Sequence, residues 1–336
     1  EMLRSLVGSE MCIRDSSMYK TPEDGRGRRQ AVLLVLALCY DFGMLFFFKY
    51  SGLTTKLPLG ISFYTFQIAA YVIDVYRGIV PAEKSYVNLG TYLTMFPQLI
   101  AGPIVNYTEV SSCLKRRTVT ARDFESGVRI LVIGLGSKVI IADRVGMLWN
   151  NVQTIGFNSI STPLAWLGAV AYSMELYFDF AGYSMMAIGL GKILGFTFPE
   201  NFRYPFISKS ISEFWRRWHM TLGGWFRDYL YIPLGGNRVS VLRWCFNMFV
   251  VWLLSGLWHG AGWNFALWGL YFGVFLSAEK LIGKKWKERS FKIADISANN
   301  DSNGGDRENM FLTCVRNIIE HGYVLLVVLF SFVIFL

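Results

Sequence analysis

The chain has 336 residues, of which 53% are hydrophobic, 16% aromatic and only 17% charged. Soluble domains carry about a quarter charged residues, so this composition excludes disorder, coiled coil, collagen and a small disulfide scaffold, and leaves a polytopic membrane protein. The net charge of +9 comes from 33 basic against 24 acidic residues. The basic residues cluster between apolar runs, where membrane orientation already accounts for them, so no nucleic-acid partner is indicated.

In chain order, Glu1 to Ser16 (EMLRSLVGSEMCIRDS) resembles translated adapter read-through and is set aside from fold reasoning. Residues 17–336 then read as a single membrane-embedded domain. The first apolar span is Ala31 to Tyr50, preceded by Lys20, Arg26, Arg28 and Arg29. Leu57 to Tyr76 and Tyr86 to Val105 follow. Pro97 and Pro103 interrupt the latter, and broken backbone is tolerated at membrane depth only where protein covers it. Span parity between residues 31 and 111 closes only if one of these segments re-enters.

A basic loop carries Lys115, Arg116, Arg117, Arg122 and Arg129; residues 130–149 span again, and the apolar stretch Leu164 to Phe198 leads into the basic segment Arg203 to Arg243. These flanks place 111–129 and 200–243 in the cytoplasm and 150–163 outside. Residues 211–230 (ISEFWRRWHMTLGGWFRDYL) repeat apolar positions at helical spacing and predict one interfacial amphipathic helix, bent at Gly223-Gly224. Leu242 to Trp258 and Gly262 to Ala278 predict a hairpin joined at Gly260-Ala261. Residues 284–309 read as a polar cytoplasmic linker, and Val324 to Leu336 as an apolar run too short to cross, which together with the opening segment reads as a chain truncated at both ends.

Candidate chemistry concentrates on histidine. From Arg243 to His259 is ~24 Å of helix at ~1.5 Å per residue, short of the ~30 Å core, so His259 sits inside the membrane near its outer face. An intramembrane ionisable group is expensive, and function is its default reading. A neutral imidazole there could serve as general base toward a hydroxyl; the alternative is a hydrogen-bonded core histidine steadying the turn. Trp258, Trp263 and Asn264 flank it as candidate substrate contacts.

His219 lies on the apolar stripe of the amphipathic helix and could orient His259 or a substrate, or simply pack. Arg216, Arg217 and Arg227 could bind the phosphates of a thioester donor, or anchor lipid headgroups. His321 reads as interfacial. Asp41, Asp74, Asp143 and Asp179 could serve a proton path or pair with Arg144 and Lys138. The five cysteines form no CxxC or His-spaced set, and no phosphate loop, nucleophile elbow or zinc helix occurs, so no metal site is expected.

Six stretches then occur in order: LPLGISFYTFQ (57–67), FPQLIAGPIVNY (96–107), YFDFAGYSMMAIGLGKILGF (177–196), PENFRYPF (199–206), FWRRWHMTLGGWFRDYLYIPLGGNR (214–238) and GLWHGAGWNFALWGLYFG (256–273). Together they resemble the membrane-bound O-acyltransferase superfamily, in its bacterial branch of alginate O-acetyltransferase membrane subunits. The resemblance implies an all-α ring of membrane helices around a funnel, with re-entrant and interfacial segments, in the bacterial cell membrane. It implies His259 as the catalytic histidine and His219 as the second. It also implies transfer of an acyl group from a cytosolic thioester donor, acetyl-CoA, to hydroxyls of an extracytoplasmic polysaccharide, directly or through an extracytoplasmic partner protein. D-alanyl transfer toward teichoic acid is the alternative within the superfamily. A proton-coupled transporter or flippase is the alternative of another class, against which stands the lack of paired halves with matching broken helices. Ala181 and Met185 stand where relatives more often carry polar residues.

Overall fold

The computed structural model describes residues 26–52, 58–297 and 306–336, with side chains between 284 and 313 outside the description. Residues 1–16, set aside above, lie outside it too. All regular elements among the described residues are helices. They are α1 (Arg26–Tyr50), α2 (Ile61–Tyr76), α3 (Tyr86–Thr94), α4 (Phe96–Leu99), α5 (Tyr107–Lys115), α6 (Ala121–Gly136), α7 (Asp143–Ile155) and α8 (Thr162–Ile193). After a loop come α9 (Ile211–Trp215), α10 (Met220–Phe226), α11 (Val241–His259), α12 (Trp263–Ser297) and α13 (Asp306–Phe335). Four are long and apolar enough to cross a membrane: Gly27–Tyr50, Val241–His259, Trp263–Gly283 and Cys314–Phe335. The contacts divide into two compact units, Glu1–Gly146 with Met174–Asn201, and Met147–Ser173 with Phe202–Leu336.

In the first unit the segment Tyr86 to Val105 is not one continuous helix: α3 has 9 residues, about half the ~20 that crossing requires, and the chain breaks before Pro97, as a re-entrant segment would. Its backbone is covered rather than exposed. The Gln98 amide donates to the carbonyl of Tyr92, and the Tyr92 hydroxyl donates to that of Val105 at 2.8 Å. The two ends return to one face around Glu83, whose carboxylate accepts from the Tyr107 hydroxyl and the Ser85 N–H and lies 3.7 Å from Lys115 Nζ. Burial works to raise the Glu83 pKa, but the Tyr107 and Ser85 hydrogen bonds and Lys115 outweigh it and lower it. Tyr107 packs edge-on against Tyr71 and Tyr92, with centroids 5.0 and 5.3 Å away.

The same unit holds a crossing built on glycine. A Cβ on Gly134 would stand 2.6 Å from the carbonyl oxygen of Gly182, and one on Gly189 would stand 2.6 Å from that of Gly127. Both pairs are seven residues apart, two helical turns, so α6 and α8 run antiparallel with backbones in contact; small residues at such spacing are how membrane helices pack without a hydrophobic driving force. A π-helical turn, Ser137–Ala142, follows at once. There Lys138 pairs with Asp179 and lies 3.6 Å from Asp143, so the two aspartates are ion-pair partners.

In the second unit α11 and α12 form the expected hairpin. The 211–230 segment is not one helix: α9 ends at Trp215, the chain turns through residues 216–218, and α10 restarts at Met220, continuing as a π-helical turn, Arg227–Tyr231. The break falls at His219 rather than at Gly223-Gly224, where contacts with α12 and with residue 203 fix the chain that leads into it. The last span is also longer than the apolar run suggests. Cys314–Phe335 is long and apolar enough to cross in 22 residues, and the polar groups of its first turns have partners: Arg316 pairs with Glu320 at 2.7 Å, and His321 Nδ1 lies 3.1 Å from the carbonyl oxygen of Ser208. Of the segment read as a linker, residues up to Ser297 continue α12 and those from Asp306 begin α13.

The re-entrant path is testable. Single cysteines replacing the exposed Ile79 and Val119, in a protein without its native cysteines, should both react with a membrane-impermeant maleimide from the same face. Labelling from opposite faces would mean that 86–105 crosses.

Candidate active site

One local and one distant hydrogen-bonding group set α9. The Ser210 hydroxyl caps it by accepting from the Glu213 N–H at 3.0 Å. Glu279 of α12 adds a cap from outside: its carboxylate accepts from the N–H groups of Ile211 (2.5 Å) and Ser212 (3.0 Å) and from the Ser212 hydroxyl (2.9 Å). A carboxylate on the first N–H groups of a helix also meets the positive end of its dipole. Helix α9 is thereby held to α12 before any apolar contact is counted. Trp215 then packs against Trp252, Phe272 and Trp268 at centroid distances of 4.7, 4.8 and 5.6 Å.

Beyond α9 the chain is tied again. The Arg203 N–H donates to the carbonyl of Arg217 at 2.8 Å, and Arg217 donates from its guanidinium to the carbonyl of Arg203 and to Glu213. After this tied segment, His219 takes φ 42° and ψ 52°, a left-handed conformation costing about 1–2 kcal/mol for a residue with a Cβ. It heads α10 with its imidazole 4% exposed and stacked on Phe202 at 6.2 Å. Burial first, and the neighbouring His259 second, lower its pKa to about 3, so the ring is neutral at physiological pH.

The other histidine is placed by the hairpin. A Cβ on Gly256 would lie 2.2 Å from the carbonyl oxygen of Phe265, and one on Gly269 would lie 2.2 Å from that of Trp252. This backbone contact fixes the register of α11 against α12 and sets His259, the last residue of α11, beside Trp268 (5.2 Å), Phe335 (5.0 Å) and Trp258 (4.7 Å). His259 is half-buried. Gly260 leaves the helix extended, where a Cβ would strike the Phe265 ring at 2.1 Å.

A cavity of about 470 Å³ opens beneath, in the range of small-molecule sites. Its wall includes His219, Trp215, Arg216 and Arg227, together with Trp252 and Ser255 of α11. Met248 and Val251 complete the α11 face, so positions 248, 251, 252 and 255 form one helical stripe, and His259 is the next residue on it.

The expected site residues therefore separate. His219, Arg216 and Arg227 line the cavity, and His259 stands one turn above it. Arg227 also pairs with Asp228 at 2.7 Å. Arg217 is committed to Glu213 and to the backbone of Arg203. Asn264 donates to the carbonyl of Phe335 at 3.0 Å, Trp263 is 85% exposed, and Trp258 contacts the His259 ring without lining the cavity. Trp215, Trp252 and Ser255 were not singled out from sequence. The spacing of the last two from His259, seven and four residues, was the available signal. Among the described residues no group of three His, Cys, Asp or Glu side chains could hold a metal ion.

The backbone at His219 and its buried ring give two expectations. His219→Val should lower thermal stability in detergent by about 1–2 kcal/mol more than His219→Asn, because asparagine tolerates the left-handed region and a β-branched residue does not. The unfolded imidazole, at its ordinary 6.5, binds a proton that the folded ring refuses until about pH 3. Acid therefore favours unfolding: this contribution is intact above pH 6.5 and is lost progressively as pH falls toward 3. The asparagine variant should show a shallower loss over that window; an identical profile would mean that the ring is charged in the folded state.

Comparison with other proteins fits this geometry. The family model for MBOAT, the membrane-bound O-acyltransferase family, matches residues 80–294. A probable alginate O-acetylase of Pseudomonas fluorescens is 47% identical over 70% of this chain and 47% of its own length. A peptidoglycan O-acetyltransferase of Helicobacter pylori is 36% identical over 79% of the chain and 58% of its own. A teichoic acid D-alanyltransferase of Bacillus subtilis is 32% identical over 69% and 60%. The chain spans about half the length of the alginate relatives it matches. The matched region contains both histidines, the hairpin and the cavity wall, and this multi-pass membrane chain belongs to the membrane-bound O-acyltransferase family.

Proposed function

We propose that this chain carries the catalytic centre of a membrane O-acetyltransferase that moves acetyl from a cytosolic thioester, acetyl-CoA, to hydroxyls of an alginate-type exopolysaccharide in the bacterial cell envelope. An extracytoplasmic partner protein takes part in delivery. The observation that carries this reading is the α11 stripe, which lines the cavity as far as Ser255 and presents His259 on the next turn, with His219 in the same wall.

In this reading the donor's thioester enters the cavity past Arg216 and Arg227, whose guanidinium groups suit phosphate. His259 accepts the proton of the acceptor hydroxyl as its oxygen attacks the thioester carbonyl. The new C–O bond forms, the C–S bond breaks, and the proton passes to the leaving thiolate. Holding donor and acceptor on either side of one imidazole supplies the proximity that dominates such a reaction. His219, neutral and immobile against Phe202, orients the reacting groups. The identity to alginate O-acetylases, above that to the D-alanyltransferase, supports acetyl as the group moved.

The test uses the full-length gene in a host lacking its own copy, with base-labile esters released from the envelope and acetate resolved from D-alanine. Wild type should yield acetate, and His259→Ala at equal protein level should lower it by about 10²–10⁴, the usual value of a general base. D-alanine in place of acetate would move the chain to the other branch. Equal ester in both strains would make His259 structural.

A further inference from the structure

We propose that Ser255 sets the size of the acyl group this site accepts, a reading that rests on the acyl-transfer function above. Ser255 lines the cavity and lies four residues before His259, one turn and ~6 Å of helix axis away on the same face. A thioester whose carbonyl carbon is within reach of His259 points its acyl tail back along that face, onto residue 255.

The surroundings of Ser255 cannot give way. On one side stand Trp252 and Trp215, packed on each other at 4.7 Å and both backed by Phe272, at 5.4 and 4.8 Å. On the other, Gly256 is pressed against the backbone of Phe265, so α11 cannot retreat to widen the space. Within a wall of fixed indoles and backbone, the serine side chain is the small element that faces the tail. Its bulk decides whether the space beyond the carbonyl holds one methyl or a longer chain. A close-packed site that must accommodate one extra methylene discriminates by about 10–200-fold.

The experiment uses inside-out membrane vesicles containing the full-length protein and its acceptor polysaccharide. Acetyl-, propionyl- and butyryl-coenzyme A are supplied separately, and base-released acids are counted. Wild type should transfer acetyl far ahead of propionyl. Ser255→Gly should raise the propionyl-to-acetyl ratio by about tenfold, and Ser255→Leu should depress acetyl transfer itself. The ratio within Ser255→Gly does not depend on how much protein folds, so it decides the matter even if the leucine variant is unstable. An unchanged ratio in Ser255→Gly beside active acetyl transfer by wild type overturns the assignment of Ser255 alone. Equal use of all three donors by wild type overturns it as well. Wild type transferring none of them, with no difference from His259→Ala, overturns the acyl-transfer reading, and this proposal with it.

Discussion

The site depends on one backbone-to-backbone contact. At Gly256 and Gly269 helices α11 and α12 approach so closely that neither position has room for a side chain. That approach sets which residues of α11 face α12 and which face the cavity. It brings Trp252 and Trp268 within 6.1 Å and gives both a place against Phe272. It also puts the last residue of α11, His259, against Trp268 rather than into lipid. The crossing thereby covers part of the imidazole with aromatic side chains. Such contacts gain little from the hydrophobic effect in lipid; they rest on dispersion between closely fitted surfaces, which a single added methyl would separate.

From that frame, α12 reaches out a second time. Glu279, on the same helix as Gly269, caps α9 and so fixes Trp215, the residue whose indole closes the cavity beside Trp252. The pinned turn that follows forces His219 into a left-handed backbone and buries its ring. Strain and desolvation are both costs, and the aromatic packing around Phe202, Trp218 and Phe332 offsets them, with Trp218 stacking on Phe214 at 5.5 Å and meeting Phe332 at 5.3 Å. What results is a neutral, buried imidazole stacked on Phe202, near a second imidazole that is half-buried.

Much of this was legible in the sequence, and the parts that were not share one cause. The hairpin and the prolines that break 86–105 follow from local chemistry, and both hold in the structure. The parity mismatch indicated a re-entrant segment, and the broken helix at 86–105 is the segment that fits it. The break at His219 was hidden, because nothing at residues 216–219 demands it; the demand comes from Glu279 and Arg203, distant in sequence. Arg217 looked like a phosphate ligand for the same reason: its spacing resembles that of Arg216, but Glu213 one turn earlier captures it. Gly127 and Gly134, like Gly182 and Gly189, display a seven-residue spacing, yet a spacing names a face and not the helix that will meet it.

The contrast between the two histidines has a chemical consequence. A general base must take up a proton, and a ring buried as deeply as His219 resists charging because the protein offers no solvation for the cation. The neighbouring His259 adds to that resistance, since a positive charge on it would disfavour another on His219. Under the proposed function the base is then the half-buried ring, His259, and His219 contributes as a neutral group. A site with two freely titrating histidines would spend part of its time doubly protonated and unable to act as a base. Burying one of them, as the strained turn at residue 219 does with its ring 4% exposed, removes that state.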